Sequence, residues 1–181
     1  MRRFFTAGAF ICMLLWGATL RAATHEFVLN KPVSEVAATL SVNGEAIRNK
    51  LKSETLEKGK TEFTAFYSEE KGWYFGSVSN DKILANTPKG DIKCFIENRA
   101  MVNLNGCVRI ESKMQPNETI EHYYMVLELF PENGKTRIVG ELNMEVDGVR
   151  QWMANVHSRI SLKKIERVLR ELLNDPLPDD K

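Results

Sequence analysis

The chain is poor in the residues that announce chemistry. It has three cysteines and three histidines in 181 residues, and none of them falls at a spacing that holds a metal ion. His25, His122 and His157 stand far from one another in sequence, so surface or hydrogen-bonded structural roles are expected for them. There is no Cys-x-x-Cys pair, no Gly-x-Ser-x-Gly elbow and no phosphate-cradling glycine loop. No catalytic residue, metal or cofactor is therefore assigned. Basic clusters are lacking too: 25 Lys and Arg face 24 Asp and Glu, and nothing in that balance points to nucleic acid. After the first two dozen residues no apolar run approaches the roughly 20 needed to span a bilayer, so no stable membrane insertion is expected of the remainder.

What is present begins at the N-terminus. Arg2 and Arg3 precede an apolar run from Phe4 to Trp16, and Leu20-Arg21-Ala22-Ala23 follows. A charged start, a short apolar core and small residues at a cut are the layout of a secretory signal peptide. Residues 1–22 are read as that signal, with cleavage after Ala22 and a periplasmic or secreted destination. The cleaved chain loses three of its 25 basic residues and none of its 24 acidic ones, leaving a formal charge of −2. It also loses Cys12, so Cys94 and Cys107 remain, and in an oxidising compartment such a pair is expected to form a disulfide. Parity objects. Cys94 alternates in phase with Ile92 and Ile96, whereas Cys107 shares its phase with Arg109 and Glu111, and only a bulge, for which Gly106 offers a place, would reconcile them.

His25–Asn30 reads as a short strand, Pro32 opens a helix carrying Val33, Val36, Ala37 and Leu40, and Asn43-Gly44 separates it from a second helix over Glu45–Leu51. From Thr61 to Val146 the pattern is strand after strand, with turns placed at Lys71-Gly72, Asn80-Asp81, Pro88-Lys89-Gly90 and Asn105-Gly106. The clearest unit is a hairpin of Thr119–Phe130 and Lys135–Val146 about Pro131-Glu132-Asn133-Gly134. Gly140 interrupts the inward face of its second arm, where a bulge or a close approach is expected. Asp147-Gly148 ends the sheet, and a long helix runs from Val149 to Asn174 before a short disordered tail over 175–181. In that helix Val149, Trp152, Met153, Val156 and Ile160 fall on one face, while Leu162, Ile165, Val168, Leu169 and Leu172 fall nearly opposite. Either the helix breaks around Ser158–Ser161, or it runs on and offers its second half to a different surface.

A strand, two short helices, about six or seven antiparallel strands and a long terminal helix resemble the helix-grip fold of the START and polyketide-cyclase (SRPBCC) superfamily. His25 to Val36 is similar to its opening, Asn133 to Val139 to its last hairpin, and the helix after Asp147 stands in the expected place. The resemblance implies a single α+β domain over 23–174, a curved antiparallel sheet wrapped around the C-terminal helix. It also implies a cavity for a lipid or other hydrophobic ligand, lined by candidates Trp73, Phe75, Tyr123, Met125, Leu142, Met144, Trp152, Met153 and Val156. The leading expectation is an exported protein that binds a hydrophobic or amphipathic ligand such as a lipid or aromatic metabolite. Two alternatives stand beside it. One is an envelope-assembly factor or homodimer that meets its partner through Leu162, Ile165, Leu169 and Leu172. The other is a cyclase- or hydrolase-like enzyme, which the superfamily allows.

Overall fold

A computed structural model of the chain describes residues 22–63, 66–68, 72–87 and 90–176. The signal-peptide expectation falls, except for Ala22, on residues outside this set. In chain order the elements are β1 (Ala23–Leu29), α1 (Val33–Val42), α2 (Gly44–Lys50), β2 (Ser53–Glu57), β3 (Phe66–Ser68), β4 (Trp73–Thr87), β5 (Gly90–Asn103), β6 (Val108–Met114), β7 (Ile120–Glu132), β8 (Lys135–Val146) and α3 (Gln151–Leu173). All strand pairs are antiparallel, in the order β1-β8-β7-β6-β5-β4-β2, with the short β3 also on β4. This is an α+β fold in which one sheet meets the long helix.

Local chemistry sets the corners. Glu132 pairs with Lys135, and Asn133 and Gly134 take φ of 51° and 78°, the left-handed pair that a two-residue hairpin turn requires. Pro32 precedes α1, where its missing N–H costs nothing, and Asn43 separates α1 from α2. Two strands are longer than the turn signals imply. β4 runs unbroken through Asn80-Asp81, and β5 through Asn98-Arg99. Asp81 is buried in mid-strand opposite Ile96 and holds a polar network described below, so its carboxylate is satisfied without a turn. β2 carries no apolar alternation and is not anticipated by the sequence pattern.

Helix α3 is continuous over 23 residues, so of the two alternatives at Ser158–Ser161 the helix runs on rather than breaks. Its buried stripe is Ala154, Ser158, Leu162, Ile165, Leu169 and Leu173, spaced by three or four residues throughout. The stripe looks interrupted in the sequence only because its first two members are small and contribute little hydrophobicity. Small residues there also let the helix lie close to the sheet. Gly140 on β8 serves the same end: a Cβ at that position would come within 3.0 Å of Leu162 Cδ2 and 3.2 Å of Leu127 Cδ2. The expected irregularity at Gly140 is thus a close approach, and the β8 register runs straight through it.

Leu162, Ile165 and Leu169 therefore cannot form a partner face. They are core, packed with Phe27, Leu29, Leu127, Leu129 and Ile138, and Leu172 packs against the same cluster. The C-terminus of α3 is latched as well. The Asp175 carboxylate accepts hydrogen bonds from Asn30 N–H, Asn30 Nδ2 and Arg170 Nη1, each at 3.0 Å, and Arg170 Nη2 donates to the Val28 carbonyl at 2.9 Å. Asp175 is buried, so the ordered chain reaches past the position where a tail is expected to begin. Beside the latch, His25 Nε2 meets Glu166 Oε2 at 2.6 Å, the structural role anticipated for that histidine.

Both remaining cysteines are free thiols, which corrects the expected disulfide. Cys94 sits near the start of β5, whereas Cys107 faces Asn103 across the turn at the far end of the same strand. The strand runs about 30 Å from Cys94 to Asn103, and a disulfide needs Cα atoms within about 7 Å. Gly106, at φ 75°, shapes that turn and makes no bulge that could shorten the distance. Cys94 is buried with Ile83, Ile96 and Met114, and burial raises its thiol above the ordinary range.

Candidate ligand-binding site

Between the concave face of the sheet and the flank of α3 lies a cavity of about 1060 Å³, closed on a third side by α2 and β2. Its volume is at the upper end of the range for pockets that hold small molecules, about 300–1,000 Å³. The wall follows from register. Ser79, Asn98, Ser112, Met125 and Leu142 lie directly opposite one another across five successive strands, and all five line the cavity. The row begins polar on β4, β5 and β6 and ends apolar on β7 and β8. In a second row, Ser77, Ala100, Ile110 and Leu127, only the β4 residue is polar. The cavity wall is thus apolar on β7 and β8, with hydroxyl, amide and charged groups gathered in a patch among apolar residues on β4 to β6.

The polar side is a connected network. Asp81, buried on β4, accepts from Arg48 Nη1 at 3.2 Å, from Asn98 Nδ2 at 3.1 Å and from the Gly59 N–H at 3.1 Å. Asn98 Oδ1 in turn accepts from Ser112 Oγ at 2.7 Å. Arg48 is brought in by α2, whose Ile47 is anchored in the main core. On the apolar side Tyr123 bridges the two hydrophobic clusters of the molecule. Among the described residues its hydroxyl has only Met125 Sδ, at 3.8 Å, for a hydrogen-bond partner, and burial pushes the phenol up to about 12, so it stays neutral. The convex face of the sheet carries a separate network. Burial alone would lower Arg109, but hydrogen bonds to Glu111, Tyr124 and Glu128 outweigh it and hold the guanidinium charged.

The structure distributes the sequence candidates unevenly. Tyr123, Met125, Leu142 and Met144 stand on the cavity wall. The backbone of Trp73 and Phe75 lies in β4, and their side chains fall outside the described residues. Trp152, Met153 and Val156 do not line the cavity. They are exposed, at 62%, 39% and 48%, because the helix turns Ala154 and Ser158 toward the core instead. Of the exposed apolar residues on α3, Ile160 borders the cavity, as do Val42 of α1 and Leu56 of β2, so its mouth has an apolar rim. Sequence reasoning missed Arg48, Asp81, Asn98 and Ser112. The alternation Ser77-Ser79-Asp81-Ile83-Ala85 could have placed Asp81 on an inward face, had Asn80-Asp81 not read as a turn. Among the described residues no group of acidic, histidine or cysteine side chains could hold a metal ion.

No protein-family model matches the sequence, and no curated protein matches it. Solved structures do. A START superfamily protein from Mycobacterium smegmatis superposes with a TM-score of 0.55 at 11% identity, covering 85% of this chain and 97% of that one. The fold is the START-like helix grip. A protein from Thermus thermophilus shares this helix grip with a TM-score of 0.55 at 17% identity, over 84% of this chain and 97% of its own. The lipid transfer and protein localization domain of human StarD13 does so with a TM-score of 0.53 at 11% identity, over 85% of this chain and 77% of that domain.

Proposed function

We propose that this protein is exported and binds a hydrophobic or amphipathic ligand, a lipid or an aromatic metabolite, in the cavity between the sheet and α3. The observation that carries the reading is a wall that is apolar across β7 and β8 and holds a polar patch of Ser77, Ser79, Asp81, Asn98 and Ser112 among apolar residues of β4 to β6, around a volume of about 1060 Å³. Binding would be driven by burial: apolar walls remove ligand surface from water at about 25 cal/mol per Å², and a few polar groups fix its orientation. The helix-grip fold supports the reading, and one of the similar structures is a lipid transfer domain. Export rests on the charged, apolar and small-residue layout of residues 1–22.

Native mass spectrometry of protein purified from the periplasm is the direct test, and a retained lipid or aromatic small molecule is the expected result. A homologous ligand series tests the mechanism. Each added methylene, worth about 0.8 kcal/mol on burial, should tighten binding about fourfold until the cavity is filled. Affinity indifferent to chain length would sink the burial mechanism. Recovery of the full-length chain, signal included, only from the cytoplasm would sink export.

A further inference from the structure

We infer that the polar end of the cavity recognises a two-oxygen acceptor, a carboxylate or a phosphate, carried at the end of an apolar body, and that Arg48 is the residue that binds it. This rests on the cavity-binding reading above and names the class of ligand. The argument is a count of donors. A guanidinium has five N–H groups on three edges, and here Nη1 is committed to Asp81 at 3.2 Å. Nε is buried without any hydrogen-bond partner, and no bond to Nη2 is found among the described residues. Nε–H and one Nη2–H share the edge of the planar group away from Nη1. That edge is the fork that meets two oxygens at once.

The neighbours do not complete it. The Asp81 carboxylate already accepts three hydrogen bonds, and Asn98 Oδ1 already accepts one from Ser112. Every acceptor in the network is thus satisfied at least once, and the unpartnered atom is a donor. A second orphan lies on the same wall, the buried hydroxyl of Thr55 on β2. An unpartnered buried donor is costly, and a ligand oxygen removes that cost in full. Asp81 fixes the guanidinium in place without closing its outer edge. Beyond the Arg48–Asp81 pair and Arg99, which meets Glu97, the lining carries Lys52, Lys58 and Lys164 against Glu45 and Glu57, a nearly balanced set, so the head is selected by the Arg48 fork.

The experiment is competition against a neutral apolar fluorophore, phenylnaphthylamine, bound to the cleaved chain. The competitors are laurate, methyl laurate and inorganic phosphate. Laurate should compete at a concentration about ten- to a hundredfold below its methyl ester, the range expected for charge-assisted hydrogen bonds. Phosphate alone should not compete, since it has the head without the body. Arg48→Met combined with Asp81→Asn, which leaves neither charge buried alone, should keep methyl laurate binding and erase the preference for the acid. Arg48→Lys keeps the ion pair, and with it the fold, but loses the fork, so it should lose most of the preference as well. If the acid preference survives in either variant, or if phosphate competes as well as laurate, the assignment to Arg48 is overturned. Equal binding of laurate and ester by the unaltered protein overturns it too, while leaving the cavity reading intact. Binding of neither, nor of the fluorophore, removes both.

Discussion

Replacing Leu169 by Ala should unfold this protein far more readily than replacing Trp152, although Trp is the larger residue. Leu169 is fully buried in the main core, and Trp152 is 62% exposed on the same helix. Leu→Ala removes three carbons from that core, about 2.4 kcal/mol of transfer free energy at ~0.8 per carbon. The cavity left behind adds to this, so a total of about 2–5 kcal/mol is expected. Trp152→Ala removes a side chain that touches mostly water and should cost within about 0.5 kcal/mol. In a domain of this size each kcal/mol moves the melting temperature by about 2–4 °C, so Leu169→Ala should melt roughly 5–20 °C early and Trp152→Ala within about 2 °C of the parent. Urea titration followed by far-UV circular dichroism gives both free energies directly. If Leu169→Ala is neutral and instead abolishes self-association, the buried stripe has been placed on the wrong side of the helix. The packing account of α3 then fails.

Other perturbations test the latch, the phenol and the thiols. Asp175→Ala strips the buried Arg170 of a charged partner and should destabilise by about 3–5 kcal/mol in the same urea assay; a cost below about 1 kcal/mol would mean that the latch holds nothing. The Tyr123 phenol, ordinarily near 10, is held up to about 12 in the fold, so folding favours its protonated form. That stabilisation is complete below pH 10 and is lost as pH rises through 12, by up to about 3 kcal/mol, and Tyr123→Phe should flatten this alkaline slope. An unchanged slope would assign it to other groups. Cys107 should react with a thiol reagent in the native protein and Cys94 only after unfolding, and a reductant should leave the melting temperature within about 1 °C. A reductant-sensitive transition would restore the disulfide.

The fold was legible in the sequence where one residue type has one physical reading. Asn133-Gly134 can make its turn almost alone, and the alternation of Ile138, Leu142, Met144 and Val146 fixes which face of β8 points inward. The long helix was legible as a helix but not in its orientation. Hydrophobicity marks Trp152 and Val156 and passes over Ala154 and Ser158, yet the small residues are the buried ones, in helical phase with Leu162, which packs over Gly140. The polar end of the cavity was hidden for a related reason. Asp81 carries the composition of a turn, and only its pairing with Arg48, contributed from 33 positions upstream, makes it a strand residue. Such long-range satisfaction of a charge leaves no local trace. The apolar wall did leave one, since Tyr123, Met125, Leu142 and Met144 follow strand parity alone.

The division of the core into two clusters implies that the molecule opens in stages. The larger cluster joins β1, α1, α2, β7, β8 and α3, the smaller one joins β4, β5, β6 and Ile120 at the start of β7, and Tyr123 spans the two. Amide protons in β7, β8 and α3 should therefore exchange with solvent only on global unfolding. Those of β2 and β4 should exchange through a smaller opening of lower free energy. A ligand seated in the cavity touches both units and would fuse them into one. At a hundredfold excess over its dissociation constant it would slow exchange from the weaker unit by the equivalent of about 2.7 kcal/mol. Exchange protection that appears in β4 and β5 but not in β7 would then report occupancy of the cavity, without the ligand having to be known in advance.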